Sequence, residues 1–390
     1  MLNRNLLIIF FSSTIASFAP VVTVLLSGII GSKLIETDWA STMPMSLMIC
    51  GTFISAPIAS NLFSLIGRKK GFILASLMSS FAAIICSYSI TISNFYLFSF
   101  GCLLIGSAHS FVHQYRFAIP ENVNEKIVPR AMSYILLLGI VSALLASNFA
   151  SYFKNLTTVE FAGSFLFLSI TGLIPIIFLF FYKDEKILIE KSKFEFNKIS
   201  LILTNSKIIL SIICGGIGYY VMASIMTASS LFLHIMKEFT IFETSIVIQL
   251  HIVGMFLPSL FTGDLIKKFG YNIIIITGII LLLLSISINI FFQTYLGYAL
   301  GLILLGVGWN FTFVCSSSLL VISYEKKDKF VAQGTADFIV FATQATGSLT
   351  AGILLYTTSW EFLNLMCIPL LFVVLLTVYF TNKKEKKIET

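Results

Sequence analysis

LFSLIGRKK at residues 62–70 and GDLIKKFGYN at residues 263–272 decide the architecture of this 390-residue chain. Each is a short polar interruption between two apolar stretches, and each matches the other, with Gly67 and Gly270 standing 203 residues apart. A second pair repeats the relation: LIGSAHSF (104–111) aligns with LLGVGWNF (304–311), which puts Gly106 and Gly306 200 residues apart. Two near-equal offsets in corresponding segments point to one multi-helix unit used twice.

The solvent for that unit is lipid. Hydrophobic residues make up 57% of the chain and charged residues 11%, against roughly a quarter charged in a soluble domain. Apolar windows of about 20 residues, long enough to cross the hydrocarbon of a bilayer, recur from end to end. The expected spans are 5–31, 39–62, 71–91, 95–119, 131–153, 161–182, 207–233, 240–263, 273–292, 295–322, 330–356 and 361–381. Each has to be helical, because a lipid-exposed backbone must satisfy its own hydrogen bonds. The domain plan is therefore an N-terminal six-helix bundle (1–182), a linker (183–206), a C-terminal six-helix bundle (207–382) and a basic tail (383–390) that suits anionic lipid. The first span is too long for a signal-peptide core and is expected to stay in the mature protein.

The net charge of +7 does not point to nucleic acid, since the basic residues sit in short clusters between spans rather than along one polar face. They act as topology signals. The termini and the alternate connections of one side hold 22 of the 25 Lys and Arg, and the other side holds Lys33, Lys154 and Lys237. The rule that positive charge stays inside places both termini in the cytoplasm. The six cysteines stand singly inside apolar segments, with no metal-ligand spacing, so neither a metal nor a cofactor is expected.

Charges and imidazoles inside a bilayer are costly, so the few present are functional candidates. Span 4 carries His109, His113 and Arg116, which a 3.6-residue period stacks on one face. Span 11 carries Asp337, with Gln344 seven residues on; span 8 adds Gln249 and His251, and span 10 adds Trp309 and Asn310. Asp337 is the candidate proton carrier, because a carboxylate held out of water is cheaper to protonate than to leave charged. His109 and His113 are secondary candidates. Arg116 suits an anionic group of a solute, while Trp309 or Tyr115 suits stacking on a ring. Each has a plainer reading. Arg116 can snorkel or pair with Glu121, Asp337 can be a structural partner of Arg116, the histidines can be packing residues, and Trp309 and Asn310 can be helix-packing groups.

These residues resemble the major facilitator superfamily of transporters over essentially the whole chain. The family signature after helices 2 and 8 is Gly-x-Leu-x-Asp-x-x-Gly-Arg-Lys/Arg. The first copy here keeps Gly67, Arg68 and Lys69 but has Ser60 and Ser64 at the leading Gly and the Asp. The second keeps Gly263, Leu265 and Gly270, has Lys267 at the acidic position followed by Lys268, and adds Asp264. The resemblance implies an all-α integral membrane fold of twelve transmembrane helices in two pseudo-symmetric bundles. Its cavity would be lined by helices 1, 2, 4, 5, 7, 8, 10 and 11, and the interiors of the other four spans here carry no His and no charge. Two marks of proton-coupled drug exporters are missing: Cys102 stands where their span 4 arginine falls, and span 5 lacks a Gly-Pro pair. HQYRFAIPEN, GWNFTFV and ADFIVFATQATGSLTAG look like a bacterial permease branch that includes riboflavin transporters. The expectation is a monomeric transporter in the bacterial inner membrane, not an enzyme. Its partners are a small anionic or heteroaromatic solute such as a flavin or a carboxylate siderophore, protons and lipid, with uptake by proton symport. A proton-antiport exporter is the first alternative; an intramembrane enzyme and a transport-derived sensor are weaker ones, since the repeated halves and gate loops serve neither.

Overall fold

The computed structural model describes residues 4–36, 40, 43–184 and 203–389, and these contain helices and no strand. The middle of the expected linker, 185–202, lies outside the described residues. The spans run as follows. α1 is Arg4–Leu34; Met43–Thr91 is continuous except at Gly67, which separates α2 (43–66) from α3 (68–91); α4 is Phe95–His113. α5 is Val128–Tyr152, α6 Ala162–Leu179 and α7 Ser206–Leu231, which ends in a π turn. α8 is broken into Ile241–Phe256, a tight turn Leu257–Leu260 and Thr262–Phe269. α9 is Tyr271–Phe291, α10 Tyr295–Ser323, α11 Lys329–Thr357 and α12 Trp360–Glu389. Ten helices among the described residues are long and apolar enough to cross a membrane; the bent α8 pair supplies an eleventh span, and division at Gly67 supplies the twelfth.

Helix starts follow from capping. Asn94 accepts from the amide of Leu97, Asn205 from Lys207 and Thr294 from Gly297. Thr240 and Glu243 exchange bonds as a capping box. Each satisfies amides that a helix N-terminus leaves bare.

Contacts divide the chain into two compact units. The first comprises Met1–Val123, Leu138–Glu195 and Lys327–Phe338; the second comprises Asn124–Leu137, Phe196–Lys326 and Ile339–Thr390. Within the first, α2 and α4 approach so closely that a Cβ at Gly51 or Gly106 would overlap the carbonyl oxygen of Leu103 or Met48, and Thr52 Oγ1 donates to the Gly106 carbonyl at 3.1 Å. The second unit repeats the contact between α8 and α10. A Cβ at Gly254 would lie 2.7 Å from the Ile303 oxygen, and one at Gly306 2.6 Å from that of His251. Glycine is needed there for space. At Gly67 and Gly270 it is needed for conformation instead, since both adopt a left-handed φ, 82° and 83°.

The three lysines assigned by charge counting to the outer side are all engaged. In the first unit Lys33 and Lys154 pair with Glu160 at 2.5 and 3.5 Å, and Lys33 lies over the Phe161 ring. The hydrogen bond from Lys33 holds the Glu160 carboxyl below the usual carboxylate range. Its stabilisation is present above the unfolded group's titration and is lost as pH falls through the lower folded value. In the second unit Lys237 donates to Gln293, which donates to Glu361, each at 2.9 Å.

Candidate functional site

α4 does not run straight through its polar end. It breaks at Gln114, whose amide bonds back three residues to Phe111, and Tyr115–Ala118 forms a separate short turn. His109 and His113 remain neighbours on α4, with ring centroids 4.2 Å apart. Arg116 lies beyond the break and is buried, as is Tyr115, whose ring stacks on Phe72 at 3.7 Å.

The break aims a set of polar side chains inside the first unit. Arg116 Nη2 donates to Asp337 Oδ1, and Gln114 Nε2 donates to Asp337 Oδ2 at 3.1 Å. The other end of the same amide, Gln114 Oε1, accepts from Arg68 Nη1 at 3.0 Å. Arg68 then donates through Nη2 to Gln333 Oε1 and to Glu121 Oε1, both at 2.9 Å. Lys329 Nζ reaches the same Glu121 oxygen at 3.0 Å, and Arg68 lies over the rings of Phe63 and Phe330. Two arginines, a lysine, two carboxylates and two glutamines therefore form one connected network. Asp337 is 1% exposed and Arg68 3%.

Burying ions costs several kcal/mol apiece, an expense met only when pairing and hydrogen bonding are nearly complete. Gln114 supplies the bonds that join Asp337 to Arg68 here. A side-chain amide is both donor and acceptor, so it links a carboxylate to a guanidinium that would otherwise be separate pairs. Chemically, the network is a carboxylate clamped by two donors in a dry setting, joined by one relay to a second ion pair.

Arg116 pairs with Asp337, while Glu121 serves Arg68 and Lys329. Gln114, Gln333 and Lys329 belong to the network although the sequence reading gave none of them a role, and Glu121, read there as a possible partner of Arg116, belongs to it through Arg68 and Lys329 instead. A signal existed for one: Gln333 stands four residues before Asp337, on the same face of α11. The first gate loop is also tied to a residue the sequence did not flag. Asp184 Oδ1 accepts from the Lys69 amide at 3.0 Å, while Lys69 Nζ donates to the Phe180 carbonyl.

The other candidates fall in the second unit. Trp309 is 1% exposed, stacked on Phe313 at 4.9 Å and met edge-on by Tyr219 at 5.1 Å. Its indole N–H has no acceptor among the described residues. His251 is fully buried, with Nδ1 2.8 Å from the Leu302 carbonyl. Gln344 is half-buried on α11. The second gate loop places Asp264 against Arg130 as an ion pair, while Lys267 and Lys268 are exposed.

Asn310 sits in the break of α8. Pro258 has no N–H, and Ile246–Leu260 meets Thr262–Phe269 at a bend of 51°. Asn310 Nδ2 donates to the Met255 carbonyl and to Ser259 Oγ, both at 2.7 Å, and its Oδ1 accepts from Thr262 Oγ1. One amide thus serves groups on both sides of the bend. Asn310→Leu is expected to cost about 1–3 kcal/mol, the penalty of leaving buried polar groups unmade, read as a lower melting temperature of the purified protein in detergent. An unchanged melting temperature would remove the splinting role.

A family model for the Major Facilitator Superfamily matches residues 6–339, and the chain belongs to that family of membrane transporters for small solutes. Among characterised relatives, it is 29% identical to the riboflavin transporter RfnT of Brucella anthropi over 98% of this chain and 97% of that one. Its fold is that of the human organic anion transporter MFSD10, with a TM-score of 0.79 at 13% identity, covering 96% of this chain and 99% of that one. It is also that of a bacterial homologue of the iron transporter ferroportin in an outward-facing state, at 0.78 and 11%, covering 98% and 100%.

Proposed function

We propose that this protein imports a small planar solute of the flavin class across a bacterial inner membrane by proton symport, with Asp337 as the proton carrier. The bundles 1–182 and 207–382 are the two moving bodies of an alternating-access cycle, and both termini are cytoplasmic. The observation that carries the reading is the buried Asp337 carboxylate held by Arg116 and Gln114 at the end of a relay to Arg68. Charge-assisted hydrogen bonds are about twice as strong as neutral ones. A proton on Asp337 removes the charge and turns one acceptor oxygen into a donor, which weakens both bonds while Gln114 keeps its bond from Arg68. The proton thus changes what holds the start of α11 in place. Solute class is supported by the riboflavin transporter among the relatives.

The test is accumulation of riboflavin by cells that neither make it nor possess another uptake route. Expression of this chain should permit growth at low riboflavin, and an uncoupler should abolish accumulation. Asp337→Asn should lower accumulation by about tenfold or more, the loss of one charge-assisted bond being about 1.5–3 kcal/mol. Wild-type accumulation by Asp337→Asn at the same surface expression would exclude Asp337 as the carrier, and export of preloaded riboflavin would reverse the direction.

A further inference from the structure

The internal repeat places Ser60 of α2 opposite Gly263 of α8, an offset of 203 residues, and the same offset places Gln333 opposite Arg130. Both copies make a close helix contact at this point, each within its own unit. In the second, a Cβ at Gly263 would lie 2.5 Å from Arg130 Cα, 2.6 Å from its nitrogen and 2.7 Å from the Pro129 carbonyl carbon. In the first, the motif position is a serine, and the glycine stands on the partner helix. A Cβ at Gly334 of α11 would lie 2.7 Å from Ser60 Cβ and 3.1 Å from Ser60 Oγ, with Pro57 Cα next at 3.4 Å. Ser60 Oγ also donates to the Phe330 carbonyl. The close approach has been kept while its glycine has moved across the contact.

That contact seats the stretch of α11 that holds the two arginines. Gln333 precedes Gly334 and holds Arg68; Asp337 follows by three residues and holds Arg116 and Gln114. We propose that Gly334, paired with Ser60, is a positioning residue for the transport cycle: it sets the depth at which α11 seats, and so the reach of Gln333 and Asp337 to their arginines. This rests on the proton-coupled reading above, but the contact itself can be tested without it.

The two copies differ in a way that substitution can expose. At Gly334 an added methyl group meets a side chain, which a second substitution removes. At Gly263 it meets backbone atoms, which no substitution removes. The experiment compares Gly334→Ala, Ser60→Gly, the double variant, Gly263→Ala, and Gly263→Ala with Arg130→Gly. Thermal unfolding in detergent and riboflavin uptake as a function of pH are measured on each.

Gly334→Ala should lower uptake by about tenfold, an overpacking effect of ordinary size, and should shift the pH midpoint of what remains. Adding Ser60→Gly should restore both midpoint and rate to within about twofold of Ser60→Gly alone. The Gly263→Ala loss should persist with Arg130→Gly. The proposal is overturned if Gly334→Ala behaves as wild type, if the double variant is no better than the single, or if rate falls with the pH midpoint unmoved. Should the wild type not take up riboflavin, the functional reading fails. The unfolding data still decide the contact, because rescue at Gly334 and none at Gly263 is expected in melting temperature too.

Discussion

Asp337→Ala is expected to destabilise the protein by about 3–5 kcal/mol, the range for removing one partner of a buried ion pair. The size follows from what stays behind. Arg116 is 8% exposed, Gln114 is fully buried, and both donate to the carboxylate that is removed. Arg116→Ala should cost as much, since it strands Asp337. The double variant Arg116→Met/Asp337→Leu should recover more than half of either loss, because apolar groups of similar volume need no partners. A melting-temperature cycle on wild type, Arg116→Met, Asp337→Leu and the double variant measures this. Additive single losses in the double variant would show that the two side chains do not act as a pair.

The second large effect belongs to the helix crossing that occurs twice. Gly106→Val and Gly306→Val should each lie at or above the top of the about 1–3 kcal/mol range for overpacking. The atoms met are main-chain atoms of Met48 in one unit and of His251 and Met255 in the other. A control separates space from glycine chemistry. Gly28 in α1 has nothing within 4 Å of an added Cβ, so Gly28→Ala should be neutral or stabilising by about 0.5–1 kcal/mol, the helix-propensity gain. Equal losses at Gly28 and Gly106 would contradict the crossing as the cause.

Much of the fold was legible because lipid imposes one rule on every span, and apolar length reports it directly. The repeat was legible from glycines, and Gly67 and Gly270 share one left-handed backbone conformation. What the sequence drew as a loop between 62 and 71 is a single turning residue inside Met43–Thr91. Charge suggested a loop at LFSLIGRKK, yet Arg68 is buried in the ion network and serves as the first residue of α3. Composition reports that a charge is present, not that it has a partner.

The candidate site was half legible for a related reason. Asp337 and Arg116 stood out because charges are rare in apolar segments. Gln114 and Gln333 did not, because amides look like ordinary polar residues until a carboxylate 223 residues away is seen to accept from one of them. The expected face of His109, His113 and Arg116 assumed an unbroken helix, whereas a turn at Gln114 lies between the two histidines and Arg116 along the chain. Trp309 and Asn310 were paired as candidates, but successive residues on a helix point apart. Trp309 joins the aromatic cluster, while Asn310 braces the bend of α8.

The most direct measurement is proton movement driven by solute, in proteoliposomes holding purified protein and a pH-sensitive dye. Riboflavin added outside, with no imposed gradient, should acidify the lumen as solute enters, and Asp337→Asn, in vesicles preloaded with unlabelled riboflavin, should exchange it for labelled riboflavin without moving protons. Riboflavin entry with no pH change in the wild type, or the same pH change in Asp337→Asn, would contradict coupling through this carboxylate.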